Sequence, residues 1–350
     1  MSNSKSLMIG DLEIKIPVFQ GGMGVGVSLA NLAGAVAKAG GLGVISTAQI
    51  GFREEGFLKK PIETNLEAIK KEIEKARKIA EGGALGVNIM VATRRYEEYV
   101  MAAVKAGIDI IISGAGLPMD LPKLVKDTNV KIAPIVSGKK ALDILTRYWK
   151  KKYNRTPDAI IVEGPMAGGH LGFSREELDD INMEAYDREI QDIIEYANGL
   201  GEENAAPPVI VAGGIFERKD MDHYMQLGAK GVQLATRFVT TEECDADIRY
   251  KQAYIDCKKE DIVIMKSPVG MPGRAIHNEF LDRVNEGERF MRGCRQCIKT
   301  CNVENAPFCI TEALINAVKG KLEEGLIFCG SNAYRCNKIE TVPQIMEEFA

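Results

Sequence analysis

The sequence has few aromatic residues, few histidines and no long apolar stretch. Phe, Trp and Tyr make up 6% of its 350 residues, and histidine occurs three times. Apolar runs such as Val209–Ala212 are too short to span a bilayer, and the N-terminus lacks the hydrophobic region of a signal peptide. The formal net charge of −4 argues against nucleic acid or a membrane surface as a partner. We therefore expect a cytoplasmic protein that acts on a small molecule.

Cysteine is absent from the first two thirds of the chain. None of the eight cysteines precedes Cys244, and four fall between Cys294 and Cys309. A disulfide framework is typical of small secreted domains, and this chain is neither small nor evenly supplied with cysteine. What is abundant instead is glycine, with 35 residues, within a 45% hydrophobic composition. That mixture favours parallel sheets joined by tight glycine turns.

Short β-branched runs alternate with longer amphipathic segments, which is the pattern of βα units. Eight strands are predicted, at Pro17–Gln20, Leu42–Ser46, Ala84–Met90, Asp109–Ser113, Lys131–Val136, Asp158–Glu163, Pro208–Ala212 and Gly231–Thr236. The helices predicted between them are Ser28–Ala39, Asn65–Ala80, Tyr96–Ala106, Asp120–Asp127, Lys139–Lys152, Met183–Asn198 and Arg218–Gln226.

The number of units favours a closed barrel. A doubly wound open sheet shares the glycine-containing helix-to-strand joints, but no dinucleotide fingerprint follows the first strand. The sequence therefore predicts an α/β fold, a (β/α)₈ TIM barrel over residues 1–241. Residues 242–350 are predicted to form a C-terminal helical extension, which carries the cysteine cluster and packs on the barrel.

Sites in such barrels lie at the C-terminal ends of the strands. The polar loops Gln49–Pro61 and Leu171–Asn182 are expected there, together with the glycine run that follows Gln20 and the Asn88 side chain. Gly213 and Gly214 end the seventh strand and Thr236 ends the eighth, a pair of positions that often binds phosphate. A tight turn with no ligand is the alternative for these glycines.

His170 follows the sixth strand behind two glycines. A histidine placed there can reach a ligand over the barrel mouth, and it titrates near neutral pH. A structural role is the alternative. His223 lies in a predicted outer helix and His277 in the C-terminal region, so a surface or structural role is expected for both.

Five ordered motifs suggest a family. They are Gln20-Gly-Gly-Met23, Gly86-Val-Asn88, Ala167-Gly-Gly-His-Leu-Gly172, Ala212-Gly-Gly-Ile215 and Gly231-Val-Gln-Leu-Ala-Thr-Arg-Phe238. Over about residues 7–285 the chain resembles the nitronate monooxygenase (2-nitropropane dioxygenase) family, which also contains FMN-dependent enoyl-ACP reductases. The motifs are specific for the family and much less specific within it.

The resemblance implies FMN over the C-terminal face of the barrel, with His170 as the catalytic histidine. Gly330 and Ser331, in a segment that closes over the cofactor in the family, would approach the flavin. Ala235 departs from the usual glycine and narrows the space beside the phosphate. The implied cofactor-binding residues are Gly22, Met23, Asn88, Glu163, Gly168, Gly213, Gly214, Gln233, Leu234, Ala235 and Thr236.

Two reactions are compatible with such a site. The first is the oxidation of an alkyl nitronate with O₂ to a carbonyl compound and nitrite, which we take as the main hypothesis. The alternative is the reduction of an enoyl thioester with NAD(P)H. Glu163 and the run Arg274–Asn278 resemble the corresponding residues of the reductase branch of the family. A flavin-binding electron-transfer module is a third hypothesis, and a homodimer is expected in each case.

The cysteine cluster has the spacing C-x₂-C-x₃-C-x₇-C, formed by Cys294, Cys297, Cys301 and Cys309. Four thiolates so close in sequence can hold a [4Fe–4S] cluster or Zn²⁺. The spacing matches neither a common ferredoxin pattern nor a zinc ribbon. The alternative is a set of reduced thiols that pack as small hydrophobic side chains.

Overall fold

The structure is a computed structural model, and it describes residues 6–201 and 206–350. Its strands in chain order are β1 Leu7–Ile9, β2 Leu12–Ile14, β3 Val18–Gln20, β4 Gly43–Ser46, β5 Leu85–Met90, β6 Ile110–Gly114, β7 Lys131–Val136, β8 Ile160–Glu163, β9 Gly169–His170, β10 Val209–Ala212, β11 Gly231–Leu234, β12 Ile262–Lys266 and β13 Pro272–Ile276.

Eight of these strands form one parallel sheet, in the order β3-β11-β10-β8-β7-β6-β5-β4. Its two end strands meet at a parallel bridge between Phe19 and Leu42, where the Gln20 N–H donates to the Leu42 carbonyl at 2.9 Å. The Gln20 side-chain amide adds two hydrogen bonds to the Val44 backbone, at 2.9 and 3.2 Å. The sheet is therefore closed, and the predicted (β/α)₈ barrel is confirmed.

The helices are α1 Ala30–Lys38, α2 Pro61–Ala80, α3 Tyr96–Lys105, α4 Leu121–Leu124, α5 Lys139–Tyr153, α6 Arg175–Asp179, α7 Met183–Asn198, α8 Arg218–Gln226, α9 Thr236–Val239, α10 Ile248–Asp256, α11 Glu279–Asn285, α12 Ile310–Val318 and α13 Val342–Phe349. α2 begins four residues before the predicted start because Pro61 is favourable in a first turn. α6 lies inside the predicted loop 171–182, where the Ser174 and Glu177 side chains form a capping box. The eighth predicted strand ends at Leu234, since Thr236 already begins α9.

The hairpin β1–β2 covers the N-terminal end of the barrel. Leu7, Ile9 and Ile14 belong to the same buried cluster as the strand residues that fill the barrel interior. Asp11, in the turn of this hairpin, forms an ion pair with Lys131, the first residue of β7. Because apolar side chains close the N-terminal end of the barrel, a ligand can enter only at the C-terminal end.

The C-terminal region contains a hairpin that the helical prediction missed. β12 and β13 pair antiparallel, and β13 also pairs with β9, which follows the sixth barrel strand. The last helix, α13, packs against α1, α8 and α9. It therefore lies in the helix layer of the barrel, although it is distant in sequence from its neighbours. No helix of the described residues is long and apolar enough to cross a membrane.

Candidate active site

The ends of β3 and β5 approach each other closely. A Cβ atom added at Gly22 would lie 2.3 Å from the Cβ of Asn88, so only glycine allows this approach. Beside it, the Met23 N–H donates to the Ser28 hydroxyl at 2.8 Å. The Asn88 side-chain amide has no hydrogen-bond partner within the described part of the chain. An amide left without a protein partner at the barrel mouth is available to a ligand.

The end of β11 lies against the turn after β3. The Gly21 N–H donates to the Leu234 carbonyl at 2.7 Å, while the Leu234 side chain is buried in the core. Leu234 can therefore reach a cofactor through its backbone alone. A Cβ atom at Gly21 would lie 3.2 Å from the Ala235 methyl and 3.7 Å from Cγ of Gln233. Glycine at position 21 thus leaves room for the alanine that replaces the usual glycine at position 235.

The turn after β10 consists of two glycines in a backbone conformation that disfavours a side chain. Gly213 and Gly214 both have positive φ, at +96° and +81°. Side chains are strained in that conformation, and a Cβ atom at Gly213 would also lie 2.9 Å from the Ala167 nitrogen. The Asn332 amide donates to the Gly214 carbonyl at 2.7 Å and holds this turn in place.

The segment 329–332 crosses the barrel mouth between two loops. A Cβ atom at Gly168 would lie 2.5 Å from the Cys329 carbonyl, and one at Gly330 would lie 2.6 Å from the Thr236 hydroxyl oxygen. The Ser331 hydroxyl is buried and has no hydrogen-bond partner among the described residues. The predicted approach of Gly330 and Ser331 to the cofactor thus has a counterpart in the structure, which places both beside Thr236 and the Gly213 turn.

These side chains fit an FMN cofactor. An isoalloxazine ring and a phosphate need donors and acceptors that the protein does not already use. Five such polar side chains, which have no hydrogen-bond partner among the described residues, surround the barrel mouth at Asn88, Glu163, Gln233, Thr236 and Ser331.

His170 lies on β9 and is held by the C-terminal hairpin. Its backbone pairs with Gly273 of β13, and its Nε2 atom is 2.7 Å from the Ser267 hydroxyl oxygen. The edge of the Phe328 ring packs on the imidazole, with ring centroids 4.9 Å apart. Burial lowers the pKa of His170 to about 4. The imidazole is therefore neutral at pH 7, with one nitrogen a donor and the other an acceptor.

Glu163 ends β8, directly before the loop that carries His170. Burial raises the pKa of this carboxyl to about 7, and no basic side chain of the described residues pairs with it. The Tyr186 hydroxyl lies against Gly164, where an added Cβ atom would be 2.5 Å away, and it is buried with no hydrogen-bond partner among residues 6–201 and 206–350. Glu163 therefore titrates in the range in which an enzyme works, which suits a group that exchanges protons.

Three residues of this neighbourhood were missed as site candidates. Ser267 contacts His170, Asn332 holds the glycine turn, and the buried Arg274 guanidinium donates to the Ala167 carbonyl. All three lie about a hundred residues from their partners, so sequence spacing carries no signal for them. Arg274 alone was detectable, as a charged residue inside an apolar strand pattern.

The other two histidines lie outside the site. His223 contacts Asp187 at 2.9 Å, and His277 contacts Asp282 at 2.7 Å, with both imidazoles exposed. These contacts agree with the surface and structural roles expected for them.

The cysteine cluster does not form a metal site in this structure. Within residues 6–201 and 206–350, no group of three or more His, Cys, Asp or Glu residues could hold a metal ion. Cys309 is buried at the start of α12, Cys297 packs against an apolar cluster that contains Phe280 and Phe308, and Cys294 is exposed. The segment is fixed by backbone hydrogen bonds instead, including one of 3.1 Å from the Arg94 N–H to the Cys297 carbonyl. The prediction of a [4Fe–4S] cluster or Zn²⁺ at these four cysteines is therefore not supported by the described residues.

Comparison with known proteins is in line with this site. A family model described as nitronate monooxygenase matches residues 5–350. The chain belongs to the nitronate monooxygenase family. It is therefore an FMN-dependent oxidoreductase, as the five motifs implied.

Individual relatives are more distant. A probable nitronate monooxygenase of Staphylococcus saprophyticus is 26% identical over 79% of this chain and 80% of its own length. A hydroxy-methyl-oxo-octahydroindene-carboxyl-CoA dehydrogenase of Mycobacterium tuberculosis is 25% identical, over 79% of this chain and 67% of its own length. Among solved structures, FabK of Thermotoga maritima is similar with a TM-score of 0.73 and 26% identity, covering 96% of this chain and 92% of that one.

A nitroalkane oxidase of Streptomyces ansochromogenes has the same fold, with a TM-score of 0.72. At 18% identity over 96% of this chain and 95% of that one, it supports the fold alone.

Proposed function

We propose that this enzyme oxidises alkyl nitronates with O₂ to a carbonyl compound and nitrite. Two nitronate anions and one O₂ give two carbonyl molecules and two nitrite ions, so atoms and charge balance. The observation that carries the proposal is the half-buried His170, held by Ser267 beside a barrel mouth whose polar side chains have no hydrogen-bond partner among the described residues. Bound FMN supplies the electron acceptor of this oxidation and the reductant of O₂.

The residues of the chain divide into two groups around the cofactor. Gly213, Gly214, Thr236 and Ser331 would hold the phosphate, since they combine a glycine turn with two free hydroxyls. Gln233, Leu234 and Ala235 would lie with them at the phosphate. The groups that would line the isoalloxazine are Gly22, Met23, Asn88, Glu163 and Gly168.

His170 would bind and orient the nitronate oxygens. The Phe328 ring and the C-terminal hairpin cover part of the imidazole, and a hydrogen bond to an anion is stronger where water is partly excluded. Arg274, buried behind the same loop, adds a positive charge that favours an anion at this mouth.

The test is nitrite release from propyl nitronate in air by the FMN-loaded protein. We expect wild-type turnover and a loss of about 100-fold or more in kcat/KM in His170→Ala. His277→Ala is the matched control, because this exposed histidine lies outside the site. A wild-type protein that binds FMN but releases no nitrite would contradict the proposal.

Enoyl-thioester reduction is the second candidate. The carboxyl-CoA dehydrogenase among the relatives is named for a thioester substrate, and Glu163 can carry a proton near neutral pH. Anaerobic bleaching of FMN by NADH or NADPH, followed by reoxidation with crotonyl thioester, would favour this reaction over nitronate oxidation.

A cytoplasmic location and a homodimer stay predictions, and size-exclusion chromatography with light scattering tests the second. Iron and zinc analysis of anaerobically purified protein tests the metal hypothesis for Cys294, Cys297, Cys301 and Cys309, and we expect neither metal in stoichiometric amount.

A further inference from the structure

The Ser267 hydroxyl is buried in the turn between β12 and β13. Ser267 is 2% exposed. Both of its backbone groups have hydrogen-bond partners, since its N–H donates to the Met271 carbonyl and its carbonyl accepts from the Gly270 N–H. The hydroxyl oxygen is 2.7 Å from Nε2 of His170 and 3.4 Å from the Val269 N–H. These two groups are its hydrogen-bond partners among the described residues.

A complete count of donors and acceptors distinguishes the two His170 tautomers. If the hydroxyl donates to Nε2, its oxygen accepts from Val269, and every group of Ser267 has a partner. If Nε2–H donates instead, the hydroxyl hydrogen has no acceptor in the part of the chain that the structure describes. Buried donors without partners are costly, so the first arrangement is favoured. The neutral ring then carries its proton on Nδ1, the nitrogen that has no partner in the described part of the protein.

We infer that Ser267 is a positioning residue that holds His170 as the Nδ1–H tautomer, so that His170 meets its substrate as a hydrogen-bond donor and not as a base. This inference rests on the proposed function for the identity of the substrate. A nitronate oxygen accepts the Nδ1–H bond directly. A neutral nitroalkane would have to lose its α-proton to the same nitrogen, which has no free lone pair. The site is therefore built for the preformed anion.

The direct test is ¹⁵N NMR of the FMN-loaded protein labelled in histidine, with His170→Ala used to assign the His170 signals among the three histidines. We expect a protonated Nδ1 and an unprotonated Nε2 at pH 7.5 in the wild type. A protonated Nε2 in the wild type would overturn the inference. This measurement needs no turnover, so it stands even where the proposed function fails.

The kinetic test separates positioning from packing. Ser267→Ala should raise KM for propyl nitronate about 10- to 100-fold, the usual effect of one hydrogen bond to a charged group, with a smaller change in kcat. Ser267→Thr keeps the hydroxyl and should restore most of the affinity and the wild-type tautomer. An unchanged KM and tautomer in Ser267→Ala would refute the role of Ser267.

Substrate choice gives a second kinetic outcome. The wild type should have a kcat/KM for neutral 1-nitropropane at least about 100-fold below that for the nitronate, the usual contribution of a general base. Equal values that are lost for 1-nitropropane in His170→Ala but kept in Glu163→Gln would show that His170 acts as a base and would overturn the donor assignment while leaving the proposed function intact. Absence of nitrite from both substrates would instead contradict the proposed function.

Discussion

The barrel mouth and the cysteine-containing segment 294–309 differ in whether the residues of their sequence motifs come together in space. At the mouth, residues distant in sequence come together because parallel strands end at one edge, as where Gly22 meets Asn88 and Gly213 meets Ala167. In the cysteine segment, residues close in sequence face different surroundings, from exposed Cys294 to buried Cys309. Strand ends in a regular sheet have defined positions relative to one another, whereas the residues of an irregular segment do not. The comparison can be tested by changing one group at a time.

The largest effect is expected at Gly168. Gly168→Val would place side-chain atoms against the Cys329–Gly330 backbone, which an added Cβ atom already approaches to 2.5 Å. We expect loss of bound FMN, seen as a low ratio of flavin to protein absorbance, and destabilisation by about 3 kcal/mol or more. Gly199→Ala is the control, since its φ is −78° and the nearest atom would be 3.4 Å away. Full FMN occupancy in Gly168→Val would refute the close contact.

Glu163→Gln should change how stability depends on pH. The folded-state pKa of about 7 lies above the ordinary value, so the folded protein binds this proton more tightly than the unfolded chain. The resulting stabilisation is present below pH 4 and is lost as pH rises through 7. It amounts to about 1 to 3 kcal/mol.

Urea unfolding of the apoprotein at pH 5 and pH 8 measures the Glu163 effect. The wild type should lose more stability between the two values than Glu163→Gln does. Glu13→Gln, at an exposed strand position, should behave as the wild type. An equal loss in all three proteins would contradict the burial of the Glu163 carboxyl.

Ser331→Ala should weaken FMN binding by about tenfold, because one hydrogen bond to phosphate is lost. The melting temperature of the apoprotein should stay the same or rise, since the buried hydroxyl has no partner in the described part of the protein. Flavin titration by fluorescence and a thermal melt of the apoprotein measure the two quantities. A lower melting temperature with unchanged FMN affinity would assign Ser331 a structural role.

The smallest effect is expected at Cys294. Cys294→Ser replaces an exposed, free thiol and should leave FMN content, activity and melting temperature within error of the wild type. Cys309→Ser should also be tolerated, because Cys309 is the N-cap residue of α12 and serine is favoured at that position. A large loss in Cys294→Ser together with lost iron or zinc would restore the metal hypothesis.

The sequence by itself determined the barrel and the residues at its mouth. Eight βα periods and the positions of Gly22, His170 and Gly213 were readable because strand alternation and glycine turns are local properties of the chain. The start of α2 moved by four residues to Pro61, and the capping box at Ser174 begins a short helix inside a segment that was predicted to be a loop.

Only the tertiary structure decided what holds His170. Ser267 is 97 residues away, and the pairing of β9 with β13 that unites them joins two short strands of unremarkable composition. The place of α13 in the helix layer and the separate environments of the four cysteines also depend on contacts across the chain. Such contacts follow from packing of the whole molecule, because no local pattern of residues specifies which distant partner a loop will meet.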